Sequence, residues 1–399
     1  MSPTVTLNSL VVPGAPICYG ILMPGADTPG GIPVVKVRDY NHSDIDVGQL
    51  LRAAPEVEAP FRRSRLQAGD ILMSIRGTTG VVVVASAALE GANITQDTAR
   101  IRVHDQDRNY VFQVLQAPVV QQQIRLQTIG QAVKGINIAS VRKLQLPWPK
   151  APTRELLART MCDCDDQAKA LQHQIALKRI FRRGIQQKLL RGQDRLAPFR
   201  ERKWHTSRLG DHVNRIERRN ATGIDLALTA SGEYGLVDQR SYFNRKITGS
   251  DLRRYYLLKR GEFAYNRSAM KGYPYGAIKR LDEHEAGALS TLYLCFAIRD
   301  LGLDSDYLMH VFESGVLNRQ LRPIVRIGAR AHGLLNVNEE DFLSINIPVP
   351  ELDEQRRIAG VLNLIDQELA ETDQLRAKLE LLKRGLLIKL LSDELEVQV

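Results

Sequence analysis

The sequence predicts an α+β chain built twice over. Two globular parts of mixed strand and helix are joined by two long helices that pair antiparallel as a coiled coil, with pseudo-twofold symmetry. Three observations predict it. Shifting the sequence by 201 positions without a gap lays Pro147 on Pro348, Pro149 on Pro350, Ala158 on Ala359, Asp165 on Asp366, Arg183-Gly184 on Arg384-Gly385 and Lys188-Leu189-Leu190 on Lys389-Leu390-Leu391. Behind each proline pair runs a long stretch with one apolar stripe, and ahead of each lie short apolar runs broken by turn residues. A repeat of this length exceeds solenoid periods and marks whole modules. The predicted boundaries are 1–150 for the first globular part, 151–198 for the first helix and a linker, 199–350 for the second globular part and 351–399 for the second helix.

Residues 1–150 hold eleven prolines and read as strand and loop. Strands are predicted at Val34 to Val37, Ile71 to Ser74, Val81 to Val84 and Ile101 to Val103, where β-branched runs are bounded by turns. The stretch from Tyr110 to Ile129 has helical spacing but contains Pro118, which predicts a broken helix. In the second part, strands are predicted at Tyr234 to Val237, Glu262 to Tyr265, Leu292 to Ile298 and Ile345 to Ile347. Gly69-Asp70-Ile71-Leu72 aligns with Gly261-Glu262-Phe263-Ala264; otherwise the two parts look dissimilar outside the helices.

Thr153 is the predicted cap of the first helix. Its stripe is Leu157, Met161, Cys164, Ala168, Leu171 and Ile175, continuing to Leu189, an alternation of four and three that marks a coiled-coil seam. The second helix offers Ile358, Leu362, Ile365 and Leu369, then Leu375, Leu379, Leu382, Leu386 and Leu390. A helix of this length with one apolar stripe needs a partner in water, and the nearest is its own copy. Gly184 and Gly385, matched inside the two helices, each cost about 1 kcal/mol relative to alanine, and close approach of another helix is the predicted reason. Residues 193–203 are polar, basic and broken by Pro198, a linker by composition.

The formal charge of +10 divides as +4, +5, +5 and −4 over the four segments. Both globular parts are basic, as a surface facing a polyanion is, and the helices carry opposite charge, which favours pairing with each other. The four cysteines are scattered, and Cys162-x-Cys164 lacks zinc or redox spacing. With no signal-like start and no apolar run approaching ~18 residues, the expected location is cytoplasmic. There is no phosphate-binding Gly-x4-Gly-Lys, no Asn-Pro-Pro-Tyr type motif, no Gly-x-Gly-x-x-Gly and no His-Glu-x-x-His. A nuclease reading of Asp194 with Glu201 and Lys203 places its carboxylates in a linker. The chain reads as a binder with no catalytic residues and no metal site.

Candidate DNA-binding residues are loop clusters mixing Arg or Lys with amides, hydroxyls and aromatics, because these side chains pair with base edges and phosphates. In the first part they are Lys36, Arg38, Arg62, Arg63, Arg76, Thr78 and Gln96. In the second they are Arg218, Arg219, Arg245, Lys246, Tyr265, Asn266, Arg267, Lys271 and Tyr273. The helix-pairing candidates are Leu157, Leu171, Ile175, Gly184, Leu189, Ile358, Ile365, Leu379, Gly385 and Leu390. A coiled-coil scaffold that binds only proteins accounts for the helices but leaves the two basic parts unexplained, and it stays open on these residues alone.

The run from Ile347-Pro348-Val349-Pro350 through Glu351-Leu352-Asp353-Glu354-Gln355-Arg356-Arg357-Ile358-Ala359, with Leu382-Lys383-Arg384-Gly385-Leu386-Leu387-Ile388-Lys389-Leu390-Leu391, resembles the spacer helix of the specificity subunits of type I restriction-modification systems. In the first copy Lys150-Ala-Pro-Thr-Arg154 departs from that pattern. Tyr19-Gly20-Ile21, Gly69-Asp70-Ile71-Leu72 and Gly261-Glu262-Phe263-Ala264-Tyr265-Asn266 are similar to recurring patterns in the family's target recognition domains. The resemblance implies a non-catalytic subunit in a phage-defence system. It implies two target recognition domains, each reading half of a bipartite, asymmetric site in double-stranded DNA, and helices that dock two adenine-methyltransferase subunits. S-adenosylmethionine, ATP and Mg2+ are then expected in partner subunits, including a translocase-nuclease, and not in this chain.

Overall fold

The computed structural model describes residues 3–40, 45–130, 134–232, 234–243, 251–270, 272–327 and 335–391. It divides into two units, Met1–Gln174 with Thr372–Val399, and Ile175–Glu371.

In the first unit β1 (Thr4–Thr6), β2 (Cys18–Tyr19), β3 (Ile32–Val35), β4 (Leu51–Ala53), α1 (Pro55–Glu58), β5 (Ile71–Ser74), β6 (Val82–Val84), β7 (Asn93–Ile94) and β8 (Thr98–Ile101) come first. They lead to α2 (Asp105–Leu115), α3 (Pro118–Gln127), α4 (Ile138–Arg142), β9 (Gln145–Pro147) and the long α5 (Ala151–Leu190), whose residues from Ile175 on belong to the second unit, as those of the second long helix from Thr372 on belong to the first. The central sheet is antiparallel in the order β2-β8-β5-β6, with a three-stranded β4-β3-β7 sheet beside it. Because side chains alternate across a strand, Ile71, Met73, Ala99 and Ile101 pack with Tyr110, Val111 and Val114 of α2. Leu72 points the other way, into Val35, Leu66 and Ile94. Each such burial stabilises by about 1.5–3 kcal/mol. Pro118 breaks the predicted helix into α2 and α3 by standing at the first turn of the latter, where no N–H is missed.

The second unit repeats this order. It comprises β10 (His205–Arg208), β11 (Val213–Arg215), β12 (Leu228–Ser231), β13 (Gly235–Asp238), α6 (Gln239–Phe243), β14 (Tyr256–Lys259), β15 (Phe263–Asn266), β16 (Ala277–Arg280), β17 (Ala286–Leu289) and β18 (Leu294–Ile298). After them come α7 (Ser305–Glu313), α8 (Asn318–Ile324), β19 (Arg326–Ile327), β20 (Leu335–Asn336), α9 (Glu339–Leu343), β21 (Asn346–Val349) and α10 (Leu352–Leu391). The sheet β11-β18-β15-β16 matches β2-β8-β5-β6 strand for strand, and the pair β10 with β21 matches β1 with β9. The two globular parts, dissimilar in sequence, thus share one fold, as the prediction of a chain built twice over requires. Different apolar residues meet the same burial pattern: Phe263 and Phe296 stack at 5.3 Å where Ile71 and Ile101 pair in the first unit.

The aligned turns match in detail. Gly69 and Gly261 both take the left-handed conformation, at φ +88° and +83°. Asp70 and Glu262, which follow them, accept the backbone N–H of the residue three positions earlier, Gln67 and Lys259. Buried Tyr110 and Tyr307 donate their hydroxyls to the carbonyls of Pro147 and Pro348, tying each globular part to its helix start. Arg154 donates to the Pro149 carbonyl as Gln355 does to that of Pro350, so the departure in the first copy keeps the contact.

Inside each unit the two helices pack antiparallel. In the first, Met161 clusters with Leu387 and Asp165 meets Lys383, so a step along one helix goes back along the other. In the second, Lys178 meets Glu368 and Arg182 meets Asp366. Leu157 is buried in the first core and Leu189 and Ile358 in the second; Ile175 is buried, and Leu171, Ile365 and Leu379 are half-buried. Leu390 lies in α10, with its side chain outside the described residues.

Three expectations are corrected. The seam of α10 runs Ile365, Leu369, Thr372, Arg376, Leu379, Lys383 and Leu386, keeping the heptad, while Leu375 and Leu382 face solvent. Those two leucines break the four-three alternation, and the register follows spacing over hydrophobicity. The first helix begins at Ala151, so Thr153 sits in the first turn and is not its cap. A Cβ added at Gly184 or Gly385 would meet nothing within 4 Å, so no helix packs closely there. The linker, 193–203, has no helix or strand and is fastened by its side chains: Arg195 and the Trp204 indole both bond Glu354, Arg202 pairs with Glu351, and Phe199 is buried.

Candidate nucleic-acid interface

The first unit sorts its predicted residues to opposite ends of the central sheet. At one end β5 stops at Ser74, opposite Thr98 where β8 begins. Two residues beyond Ser74, Arg76 donates to Gln96 Oε1 at 2.8 Å, and exposed Thr78 lies in the loop between left-handed Gly77 and Gly80. That loop is braced, with the Gly77 N–H on the Lys134 carbonyl and Ser74 Oγ on the Thr78 carbonyl. Tyr40 bonds Thr98 at the same end, and burial pushes its phenol pKa far up. Lys36 and Arg38 precede it in a turn closed by Asp39 on the Lys36 N–H; Arg38 reaches into solvent. Arg62 and Arg63 stand at the other end, ahead of β5, beside Arg65 and Arg102.

The second unit divides in the same way, with more of its predicted residues tied up. At the end matching Arg76, Arg267 donates to the Leu292 carbonyl from both Nε and Nη2, and its own carbonyl accepts from Leu335. The first unit has the same cross-link from Ile136 to Ile75. Asn266 contacts Met270, and the Tyr273 hydroxyl accepts from Lys279, whose ammonium lies 4.7 Å from the Tyr273 ring. Burial is the largest single influence on the Lys279 pKa and lowers it, yet Glu313 at 3.0 Å and the Tyr273 hydroxyl together leave it raised.

At the other end Arg218 pairs with Glu262 at 2.7 Å, and Arg219 donates to the Arg254 carbonyl over the Tyr256 ring. These two arginines brace the fold as well as offering charge.

Tyr265 is a correction. It is fully buried, stacked on Phe342 at 4.6 Å with its hydroxyl on the Tyr275 carbonyl, and burial pushes its pKa up to about 12. Period-two alternation across β15 sends Tyr265 inward with Phe263 and Asn266 outward, which the motif reading overlooked. Arg245, Lys246 and Lys271 lie outside the described residues. The sequence reading also missed exposed apolar side chains at the Arg76 and Arg267 ends: Leu22 and Met23, next to Ile21 whose carbonyl holds the Gln96 N–H, and Leu292. An exposed Met-Leu pair beside amides and arginines suits contact with base edges or sugar.

A second surface lies on the helices. Ile180 and Phe181 are exposed on α5, and Leu381 and Leu382, their equivalents in the repeat, are exposed on α10. Each pair directly precedes the basic residue of an interhelical ion pair, Arg182 with Asp366 and Lys383 with Asp165. Apolar side chains kept at the same exposed position twice mark an interaction face more than scattered singles do. Among the described residues no group of three His, Cys, Asp or Glu is placed to hold a metal, and no helix is long and apolar enough to cross a membrane.

No family model matches the chain. It is 26% identical over 193 residues to the specificity subunit of the type I restriction enzyme EcoBI of Escherichia coli. That match takes in 47% of this chain and 40% of the relative, so the chain spans less than half the length of the curated relative it matches. Among solved structures it is similar to the type I restriction-modification S subunit from M. genitalium, with TM-score 0.58 and 16% identity over 98% of this chain and 96% of that one. A second likeness is to a chain from a study of complex assembly and conformational transition of the type I system, with TM-score 0.55 and 15% identity over 99% and 100%. The chain has the fold of a type I specificity subunit.

Proposed function

We propose that this chain is the DNA sequence-recognition subunit of a type I restriction-modification complex and performs no chemical step of its own. One observation carries the reading: the same fold occurs twice, with the frame repeated down to the Tyr-to-Pro hydrogen bonds, while the exposed polar side chains at the strand ends differ. A duplicated fold whose exposed strand ends differ suits a protein that reads two unlike half-sites. In the first unit Arg76, Gln96, Thr78 and Arg38 form the reading end; in the second, Asn266, Arg267 and Tyr273 lie at the matching end. A bidentate Arg or Gln contact to a base is worth about 1–3 kcal/mol of discrimination.

The repeated apolar pairs, Ile180 with Phe181 and Leu381 with Leu382, fit the docking of two copies of one partner, a methyltransferase subunit. That partner binds S-adenosylmethionine; a further translocase-nuclease subunit binds ATP and Mg2+. The paired helices set the number of unread base pairs between half-sites, and the complex works in the cytoplasm. Mapping methylated adenines in DNA exposed to this chain and its methyltransferase tests the whole reading. Methylation in one asymmetric, bipartite sequence is expected; sequence-indifferent binding with the partner present overturns it. Absence of DNA binding in every complex leaves the coiled-coil scaffold instead.

A further inference from the structure

One buried charge in the first unit has no counterpart in the second. Arg100 sits in mid-sheet on β8, paired with Leu72, and is 2% exposed. Its Nη2 donates to the Pro16 carbonyl at 3.0 Å and lies 3.7 Å from Cys18 Sγ, while Nε is buried without a hydrogen-bond partner. Among the described residues no carboxylate bonds it. The register of β15 with β18 puts Cys295 at the same place in the second unit, so the fold itself does not demand a cation there. A guanidinium taken out of water without a counter-charge costs several kcal/mol, which makes an anion its natural complement.

The surroundings supply the rest of a site. A hollow of about 480 Å³ is lined by Arg100 and by Pro16, the residue its guanidinium reaches, together with Arg62, Arg63, Arg65 and Arg102. Two of these are neutralised: Arg65 by Glu58 at 2.7 Å and Arg102 by Asp70 at 2.6 Å. Glu90, also on the hollow, is engaged by the Ala68 N–H. Arg62 and Arg63 are exposed, and among the described residues neither side chain makes a hydrogen bond or ion pair. Three arginines without a bonded carboxylate, one buried and two at the surface, thus share one concave site at the end of the sheet away from Arg76.

We infer that this hollow is a phosphate-binding pocket of the first unit, with Arg100 as its buried donor and Arg62 and Arg63 closing on the phosphate oxygens. Forked guanidinium donors match a tetrahedral oxyanion. The phosphate comes from a DNA backbone or from a soluble phosphate. Only the former rests on the DNA-recognition reading.

The test uses the full chain, wild type against Arg62→Ala/Arg63→Ala and against Arg100→Cys, which copies the second unit. Calorimetric titration with inorganic phosphate reads the site without DNA. Duplex binding in the presence of the methyltransferase, over a salt series, reads the backbone, since each lost phosphate contact lowers the slope of log affinity against log salt by about 0.9. The expected result is a saturable site weakened at least about tenfold in both variants, about 1.4 kcal/mol, or a slope reduced in both. A reduced slope assigns the DNA backbone; an unchanged slope with lost phosphate binding assigns a soluble phosphate. The proposal is overturned if the double alanine variant, whose two side chains are exposed and leave the core intact, binds phosphate like the wild type and keeps the wild-type slope. A chain that binds no DNA in any form fails the recognition reading alone, because the phosphate titration still reports.

Discussion

Three residues after Tyr110, α2 of the first unit sends Gln113 to the helix pair; three residues after Tyr307, α7 of the second sends His310. Gln113 donates to Asp165, which also holds Lys383. His310 bonds Asn363 through Nε2, while Arg182 beside it holds Asp366 and reaches Glu313. The acid-base pair is the repeated part: Asp165 and Asp366 are equivalents, and so are Arg182 and Lys383. The residue that each globular part adds to it varies. The junction is thus fixed where both helices contribute and free where only one part does, the pattern expected if two different reading heads are fitted to one docking frame.

The largest test of that difference is at the helix starts. Glu354, 1% exposed, accepts hydrogen bonds from Nε and Nη2 of Arg195 and from the Trp204 indole, whereas its equivalent Thr153 makes no such contact among the described residues. Glu354→Ala leaves a desolvated guanidinium and is expected to cost about 3–5 kcal/mol in the second unit. Thr153→Ala is expected to stay within about 0.5 kcal/mol. Denaturant unfolding followed by hydrogen exchange in each unit separates the two, and equal costs would erase the asymmetry.

Next come the repeated ion pairs. Asp165→Asn and Asp366→Asn each remove a partly buried charge-assisted bond and are expected to cost about 1–2 kcal/mol in their own unit. Reversing the first pair, Asp165→Lys with Lys383→Asp, is expected to recover most of the loss. Failure to recover it would mean that Gln113 and not the charge pair sets the geometry.

A smaller effect separates the units by pH. Burial holds the pKa of His310 below the ordinary histidine value, against the hydrogen bond that Asn363 Oδ1 accepts from its Nε2; Arg182 lowers it too, while Asp366 and Glu313 raise it. With the folded value depressed, the unfolded chain takes up the proton first. The contribution is therefore full above about 6.5 and is lost as pH falls through the folded value. The second unit is expected to lose stability on acidification in that window, and His310→Gln, which installs the residue of the first unit, is expected to remove the dependence. An unchanged pH profile in His310→Gln assigns it to other groups.

The sequence carried the repeat and both helices, because a coiled-coil seam and matched prolines are periodic signals that survive divergence. Ile71 to Ser74 was legible as a strand to the residue, and so was the break at Pro118. The strand-for-strand match of the two globular parts was not, because a sheet face asks only for apolar residues at alternate positions, and Ile71 and Phe263 satisfy it equally. For the same reason Tyr265, next to outward-facing Asn266, was read as a surface residue. Arg100 carried no signal at all: its neighbours in sequence look like an ordinary amphipathic strand, and its burial depends on residues 16 and 72. The seam positions Arg376 and Lys383 were hidden by nearby leucines, which the register leaves in solvent.

Gly184 and Gly385 give the finest comparison, because the sequence matched them and the structure leaves both without a neighbour. If they served only the two helices described, alanine at either would be a plain gain. Helix propensity and reduced freedom of the unfolded chain add up to about 1 kcal/mol each, seen as a rise in the urea midpoint of the unit concerned. Yet the open space lies one turn beyond Ile180-Phe181 and Leu381-Leu382, the exposed pairs assigned to the methyltransferase. A docked chain that approaches the backbone there would meet the new methyl group. The expected outcome is therefore split: both variants more stable alone, both weaker in assembly with the methyltransferase, and by similar factors because the two positions are equivalents. Stabilisation with undiminished assembly would move the docking face elsewhere on the helices, and a loss confined to one glycine would mean that the two partner copies do not dock alike.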